Sequence, residues 1–125
     1  MRSVLIFVGI LTLFAAPAAT FAASGDDDPM AGYYGNTTIS TGGKAEVHFI
    51  YYPDHTFVLR VPAYAMEFKG TWDVKDSTIC FTYDTPPPGV DNPDCSPLVP
   101  HKVGDTWTLD ADGRTRTITL VKGVQ

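Results

Sequence analysis

From Met30 onward, apolar and polar residues alternate in short runs, and no useful stretch repeats apolar positions at i, i+3, i+4 and i+7 as an amphipathic helix does. Over Lys44–Tyr52, Val47, Phe49 and Tyr51 share one face and Glu46, His48 and Tyr52 the other. Phe57, Leu59 and Val61 are in phase over His55–Val61. Phe68, Gly70, Trp72 and Val74 alternate with Glu67, Lys69, Thr71 and Asp73 over Glu67–Val74. Ile79, Phe81 and Tyr83 are in phase over Ser77–Asp84, with Cys80 on the opposite side. A side-chain period of two with one apolar set is a strand whose single face is buried. Tyr33–Ser40 reads as a first strand and Leu98–Lys102 as a short edge strand. Gly104–Leu109 and Arg114–Lys122 read as a hairpin around Asp110-Ala111-Asp112-Gly113, an Asp-Gly turn signal.

Turn chemistry separates these runs. Thr41-Gly42-Gly43, Pro53-Asp54-His55 and Lys75-Asp76 punctuate the chain, and Pro62 ends the third strand. Ala63–Met66 fits a helical turn as well as a strand. Pro86-Pro87-Pro88-Gly89, Asn92-Pro93 and Pro97 exclude a helix or a central strand from the intervening loop. The pattern therefore predicts an all-β, antiparallel up-and-down meander of about seven or eight short strands. Closure into a small barrel removes the long exposed edges of such a sheet, and a β-sandwich is the alternative. Gly70-Thr71-Trp72 and Gly104-Asp105-Thr106-Trp107 set an indole near a small residue, which suits a narrow interior.

The N-terminus has a different pattern. Arg2 precedes an apolar run over Val4–Phe14 and a small-residue stretch over Ala15–Ala23, the signature of a secretory signal peptide. The run is too short to span a bilayer comfortably. Residues 1–22 are read as the signal, with Ala23 as the near alternative cleavage point. Residues 23–29 form an acidic leader, and 30–125 a single domain. After cleavage no apolar stretch approaches membrane length, so no stable membrane insertion is expected and the protein is read as periplasmic or secreted. Export places Cys80 and Cys95, the only 2 cysteines, in an oxidising compartment, where a structural disulfide is expected. A loop of roughly 15 residues closed this way is worth about 3 kcal/mol. The chain is 44% apolar, but the signal holds much of that share, so the remaining domain is lean and gains from a staple. The net charge of -5, more acidic still without Arg2, includes no basic stripe and argues against a nucleic-acid partner.

Gly35-Asn36-Thr37, Tyr52-Pro53-Asp54-x-Thr56, Gly70-x-Trp72-x-Val74 leading to Cys80, then Cys95 and Gly104-Asp105-x-Trp107 together resemble small exported, lipocalin-like β-proteins of Gram-negative bacteria. The resemblance spans nearly all of the chain after the signal. It implies a periplasmic or secreted lipocalin-like barrel and carries no catalytic residue. The glycine usual after the turn Asp is replaced here by His55.

Three constellations bear on function. Glu46 and His48, two apart on one strand face, with Arg60 on the next strand, could form a general base oriented by a carboxylate beside an anion-pinning cation. These are the catalytic candidates for a small cyclase or isomerase. Val47, Phe49 and Tyr51 make the better core, so this polar face is expected outside. His55 in a turn and His101 beside Pro100 are expected at the surface. No His-x-His or His-Glu-x-x-His spacing is present, and neither a metal nor another cofactor is expected. Phe57, Trp72 and Trp107 are expected to line an interior that binds a small, mostly apolar molecule, and this is the preferred reading. The second is a protein-interaction module, an inhibitor or an accessory to another envelope protein, binding through the proline loop Thr85–Pro97 or the Tyr33/Tyr34 edge. Proline-stiffened loops lose little entropy on binding.

Overall fold

The structure, a computed structural model, describes residues 28–111 and 113–125. The expected signal peptide, the leader before Asp28 and Asp112 lie outside the described residues.

Eight strands form one sheet: β1 (Thr37–Thr41), β2 (Val47–Tyr51), β3 (Thr56–Val61), β4 (Met66–Lys75), β5 (Thr78–Tyr83), β6 (Asp94–Pro97), β7 (Thr106–Ala111) and β8 (Arg114–Val121). Every neighbouring pair is antiparallel, and the sheet of the meander that the alternation predicts curls into a half-barrel, which fits the lipocalin-like barrel that the resemblance implies. The spatial order is β6-β5-β4-β3-β2-β1-β8-β7. The two ends of the domain are therefore zipped together, Thr37 opposite Val121, and the sheet opens between β6 and β7 instead. The ambiguous stretch after Pro62 is a short 3-10 turn over Pro62–Tyr64.

Local sequence accounts for the turns. Asp76 and Ser77 both adopt positive φ, 51° and 60°, between Lys75 and Thr78, the twist-matched geometry of a two-residue hairpin loop. His55 is also left-handed, at φ 67°. Asp54 helps to hold that turn, because its carboxylate accepts from the Thr56 amide at 3.0 Å and from the Thr56 hydroxyl. Those bonds hold the Asp54 carboxyl below the usual carboxylate range.

Two strand expectations are corrected. Leu98–Lys102 is not a strand, and the edge strand is Asp94–Pro97. Its register is fixed by Cys95 lying opposite Cys80, to which it is disulfide-bonded. Beyond Pro97 only the Leu98 amide still reaches the sheet, donating to Ser77 O at 2.8 Å, and Pro100 has no amide to offer. The first strand begins at Thr37, not Tyr33. The preceding residues turn back on themselves, Tyr33 N to Met30 O at 2.9 Å and Asn36 N to Tyr33 O at 3.1 Å. This segment closes one end of the half-barrel, and Met30 is only 1% exposed. Asp28, at the end of the acidic leader, anchors it by accepting from Met30 N at 2.9 Å and from the Tyr34 hydroxyl at 2.7 Å.

The interior is aromatic. Phe49 packs against Tyr51, Phe57 and Phe81 with centroids 5.1, 5.1 and 4.8 Å apart, and Phe57 meets the edge of Tyr83 at 5.0 Å. Gly70 is required here, because a Cβ would stand 2.0 Å from Thr82 O and 2.9 Å from the Phe57 ring. On the convex side Ile50 is 0% exposed although it faces away from that core. The C-terminal tail crosses its neighbours. Thr37 Oγ1 donates to Gly123 O at 2.7 Å and accepts from Gln125 N at 3.0 Å, and Arg60 Nη1 donates to Gln125 O at 3.0 Å.

Candidate functional site

Register defines a row of concave side chains that starts beside Tyr33, at Trp107, and runs to Val47, Val61 and Met66 at the end of the half-barrel away from the Met30–Tyr33 segment. Trp107 lies opposite Ile118, Ile118 opposite Ser40, Ser40 opposite Val47, and farther round the sheet Val61 lies opposite Met66. The row one level deeper contains Leu120, Thr38 and Leu59, all buried. The mouth row itself is only partly covered, and Met66 is 42% exposed. It is apolar except for the Ser40 hydroxyl, which is buried without a hydrogen-bond partner. One end of the half-barrel is thus closed by chain and the other presents an apolar mouth. Val90 of the proline loop packs against the core as well. That loop is held at its base, where Asn92 accepts from Tyr83 N at 2.9 Å and donates to Tyr83 O at 3.1 Å, taking the place of a strand partner.

The residues expected to line a ligand cavity separate. Phe57 and Trp72 belong to the packed core, and the Trp72 indole donates to Tyr52 O at 3.1 Å and Thr56 O at 3.0 Å. Trp107 alone of the three stands in this row, at the end beside Tyr33. Its indole is stacked on His101, with centroids 3.5 Å apart and planes 5° from parallel. His101 is therefore packed, not a surface residue, and its Nδ1 lies 3.3 Å from Asp105 Oδ2. Asp105 also accepts from Lys102 N at 3.0 Å, and this bond, with His101, holds its carboxyl below the usual range. His101 and Trp107 sit six residues apart across the turn before β7, a spacing that the sequence displays. Tyr33 meets both rings edge-on, and its hydroxyl donates to Val99 O at 2.8 Å. Burial first, and then Asp105, raise the Tyr33 phenol well above its ordinary value.

Glu46, His48 and Arg60 do come together, on the convex face. His48 Nε2 lies 2.6 Å from Glu46 Oε1, and His48 is directly opposite Arg60. The His48 side chain is 13% exposed, so it faces out but is largely covered. Arg60 already commits Nε to Glu67 Oε2 at 3.0 Å and Nη1 to the tail carbonyl. Lys69 Nζ lies 3.4 Å from Glu67 Oε1, and the Arg60 bond above all holds the Glu67 carboxyl below the usual range. An open cleft of about 470 Å3 borders this array, lined also by Pro62, Ala65 and Met66. The arrangement is an Arg60–Glu67–Lys69 cluster of ion pairs across β3 and β4, with the Glu46–His48 hydrogen bond beside it at β2.

No helix among the described residues is long and apolar enough to cross a membrane. The Cys80–Cys95 bond is the kind of link that oxidising compartments preserve. Comparison with protein-family models, with curated proteins and with solved structures finds no match to this chain.

Proposed function

We propose that the protein is an exported, periplasmic or secreted, binding module that takes a small, mostly apolar ligand at the open mouth of its half-barrel. The observation that carries this reading is the mouth row, a run of half-exposed apolar side chains over a solid aromatic floor. Small-molecule sites are largely apolar with a few polar groups that set orientation. Ser40, whose buried hydroxyl has no hydrogen-bond partner, is suited to that role. The core aromatics beneath act as the floor, and the interior proper holds no part of the ligand.

The test is fluorescence titration with anilinonaphthalene sulfonate, an apolar probe, followed by native mass spectrometry of protein purified without denaturation. A saturable site that is lost in Val61→Glu and retained in His48→Ala is the expected result. A probe that fails to saturate, or that binds Val61→Glu unchanged, overturns the reading. A second reading, docking of a protein partner on the proline loop, draws on the two hydrogen bonds between Asn92 and Tyr83, which pre-order that loop.

A further inference from the structure

The two free edges of the sheet differ. β6 has four residues, ends in Pro97 and is tied to β5 by the disulfide, all features that blunt an edge against pairing. β7 has six residues, contains no proline or lysine, and leaves Leu109 40% exposed on the concave side. Its hydrogen-bonding phase follows from Leu120, which accepts from Gly104 N at 2.9 Å and donates to Asp105 O at 3.0 Å. Antiparallel ladders alternate. Ile118 and Arg116 therefore serve Trp107 and Leu109, while the backbone groups of Thr106, Thr108 and Asp110 point away from β8.

We infer that β7 pairs with β7 of a second copy of this chain, antiparallel and centred on Thr108. The partner is argued from the strand itself. A two-fold axis through Thr108 sets Thr108 against its own copy and Thr106 against Asp110, so every outward amide and carbonyl of these three meets a partner. The same axis places Trp107 opposite Leu109 on the concave side at non-hydrogen-bonded positions, where opposing side chains come closest. The exposed leucine is then covered by an indole, and no like charges meet. Sliding one strand by a single residue would turn inward-pointing backbone groups toward each other, and of the registers that avoid this, only the one centred on Thr108 pairs Thr106, Thr108 and Asp110 all together and sets Trp107 against Leu109. The outer side of β7 has no strand neighbour, because β7 ends the sheet order.

Sedimentation velocity of the purified protein over a rising concentration series tests this. A monomer–dimer equilibrium is expected. Thr108→Pro, which deletes an outward amide and no β7–β8 bond, and Leu109→Glu each raise the dimer dissociation constant by about ten-fold or more. Thr108→Cys cross-links to its own copy under mild oxidation, whereas Thr117→Cys on β8 does not. A monomer at every concentration, or a dimer unmoved by both Thr108→Pro and Leu109→Glu, overturns the inference. Circular dichroism of each variant separates loss of pairing from loss of fold.

Discussion

The imidazole of His55 lies flat on the indole of Trp72, with ring centroids 4.1 Å apart and planes 12° from parallel. His55 occupies a left-handed backbone position that glycine fills more comfortably, and its carbonyl accepts from Trp72 N at 2.8 Å. The stack offsets the backbone cost. An aromatic contact is worth about 0.5–1.5 kcal/mol, and a left-handed non-glycine residue costs about 1–2 kcal/mol. His55→Ala keeps the cost and loses the stack, so it should destabilise by about 1 kcal/mol. His55→Gly loses both and should lie closer to the parent. Urea midpoints rank the three, and an alanine variant more stable than the glycine variant would sink this account.

Gly70→Ala is expected to be far more damaging. The new methyl would overlap the Thr82 carbonyl, a backbone atom with no rotamer to escape into, and would press on the Phe57 ring. The strand must shift, and overpacking of this kind costs about 1–3 kcal/mol or more. Thermal unfolding should show the loss. Phe57→Leu in the same background, by making room on one side only, should restore little of it.

The inward faces of β2 to β5 were legible because each presents aromatic or branched residues at alternate positions, and the chemistry of the turns at Pro53-Asp54 and Lys75-Asp76 agreed with them. β6 was not legible. Asp94-Cys95-Ser96-Pro97 has no apolar alternation, and its place comes from Cys80 across the sheet. The seam was hidden for a similar reason, since Thr37 and Val121 meet only in three dimensions. Ile50 points out of the core and is buried because the tail happens to cross there, a tertiary event without a local signal. The mouth row needs the register of six strands, so alternation alone could name Trp107 but could not separate it from Phe57 and Trp72.

Removing the staple should weaken the protein without changing its architecture. Cys80 and Cys95 are separated by 15 residues, and opening a loop of that size removes about 3 kcal/mol in the chain-entropy account. The Cys80→Ser/Cys95→Ser pair should lower the urea midpoint accordingly. Far-ultraviolet circular dichroism should be retained, because β5 keeps its ladder to β4 and the Asn92–Tyr83 bonds survive. Loss of the β-sheet spectrum in the absence of denaturant would count against this view.

Asp105 links acid stability to the turn before β7. The Lys102 amide first, then His101, stabilise its ionised form, so its pKa is lower folded than unfolded. A carboxylate of that kind stabilises the native state above its unfolded pKa, near 3.9, and the contribution fades as pH falls through the folded value. Asp105→Asn should therefore lower the melting temperature at neutral pH and flatten its decline toward acid. Parallel acid profiles for parent and variant would remove Asp105 from this role.

At the other end of the pH scale, the buried phenols should set the limit. Burial, more than any neighbour, raises Tyr33 and Tyr51 well above their ordinary value of 10.0, and pushes Tyr83 up to about 12. Each holds its proton more tightly folded than unfolded. Stability is then fully present below the unfolded pKa, about 10, and falls as pH rises past it, because only the unfolded chain can release these protons. Phenolate absorbance followed against pH should show a fraction of tyrosine ionising late and cooperatively, in step with loss of the near-ultraviolet dichroism of the packed core. Tyr51→Phe removes one such group and should shift that alkaline transition to higher pH, while its missing hydroxyl leaves the stacking with Phe49 in place. If all tyrosines ionised smoothly near pH 10 with the near-ultraviolet signal intact, the aromatic interior would be open to water, and the solid floor beneath the mouth row would have to be abandoned.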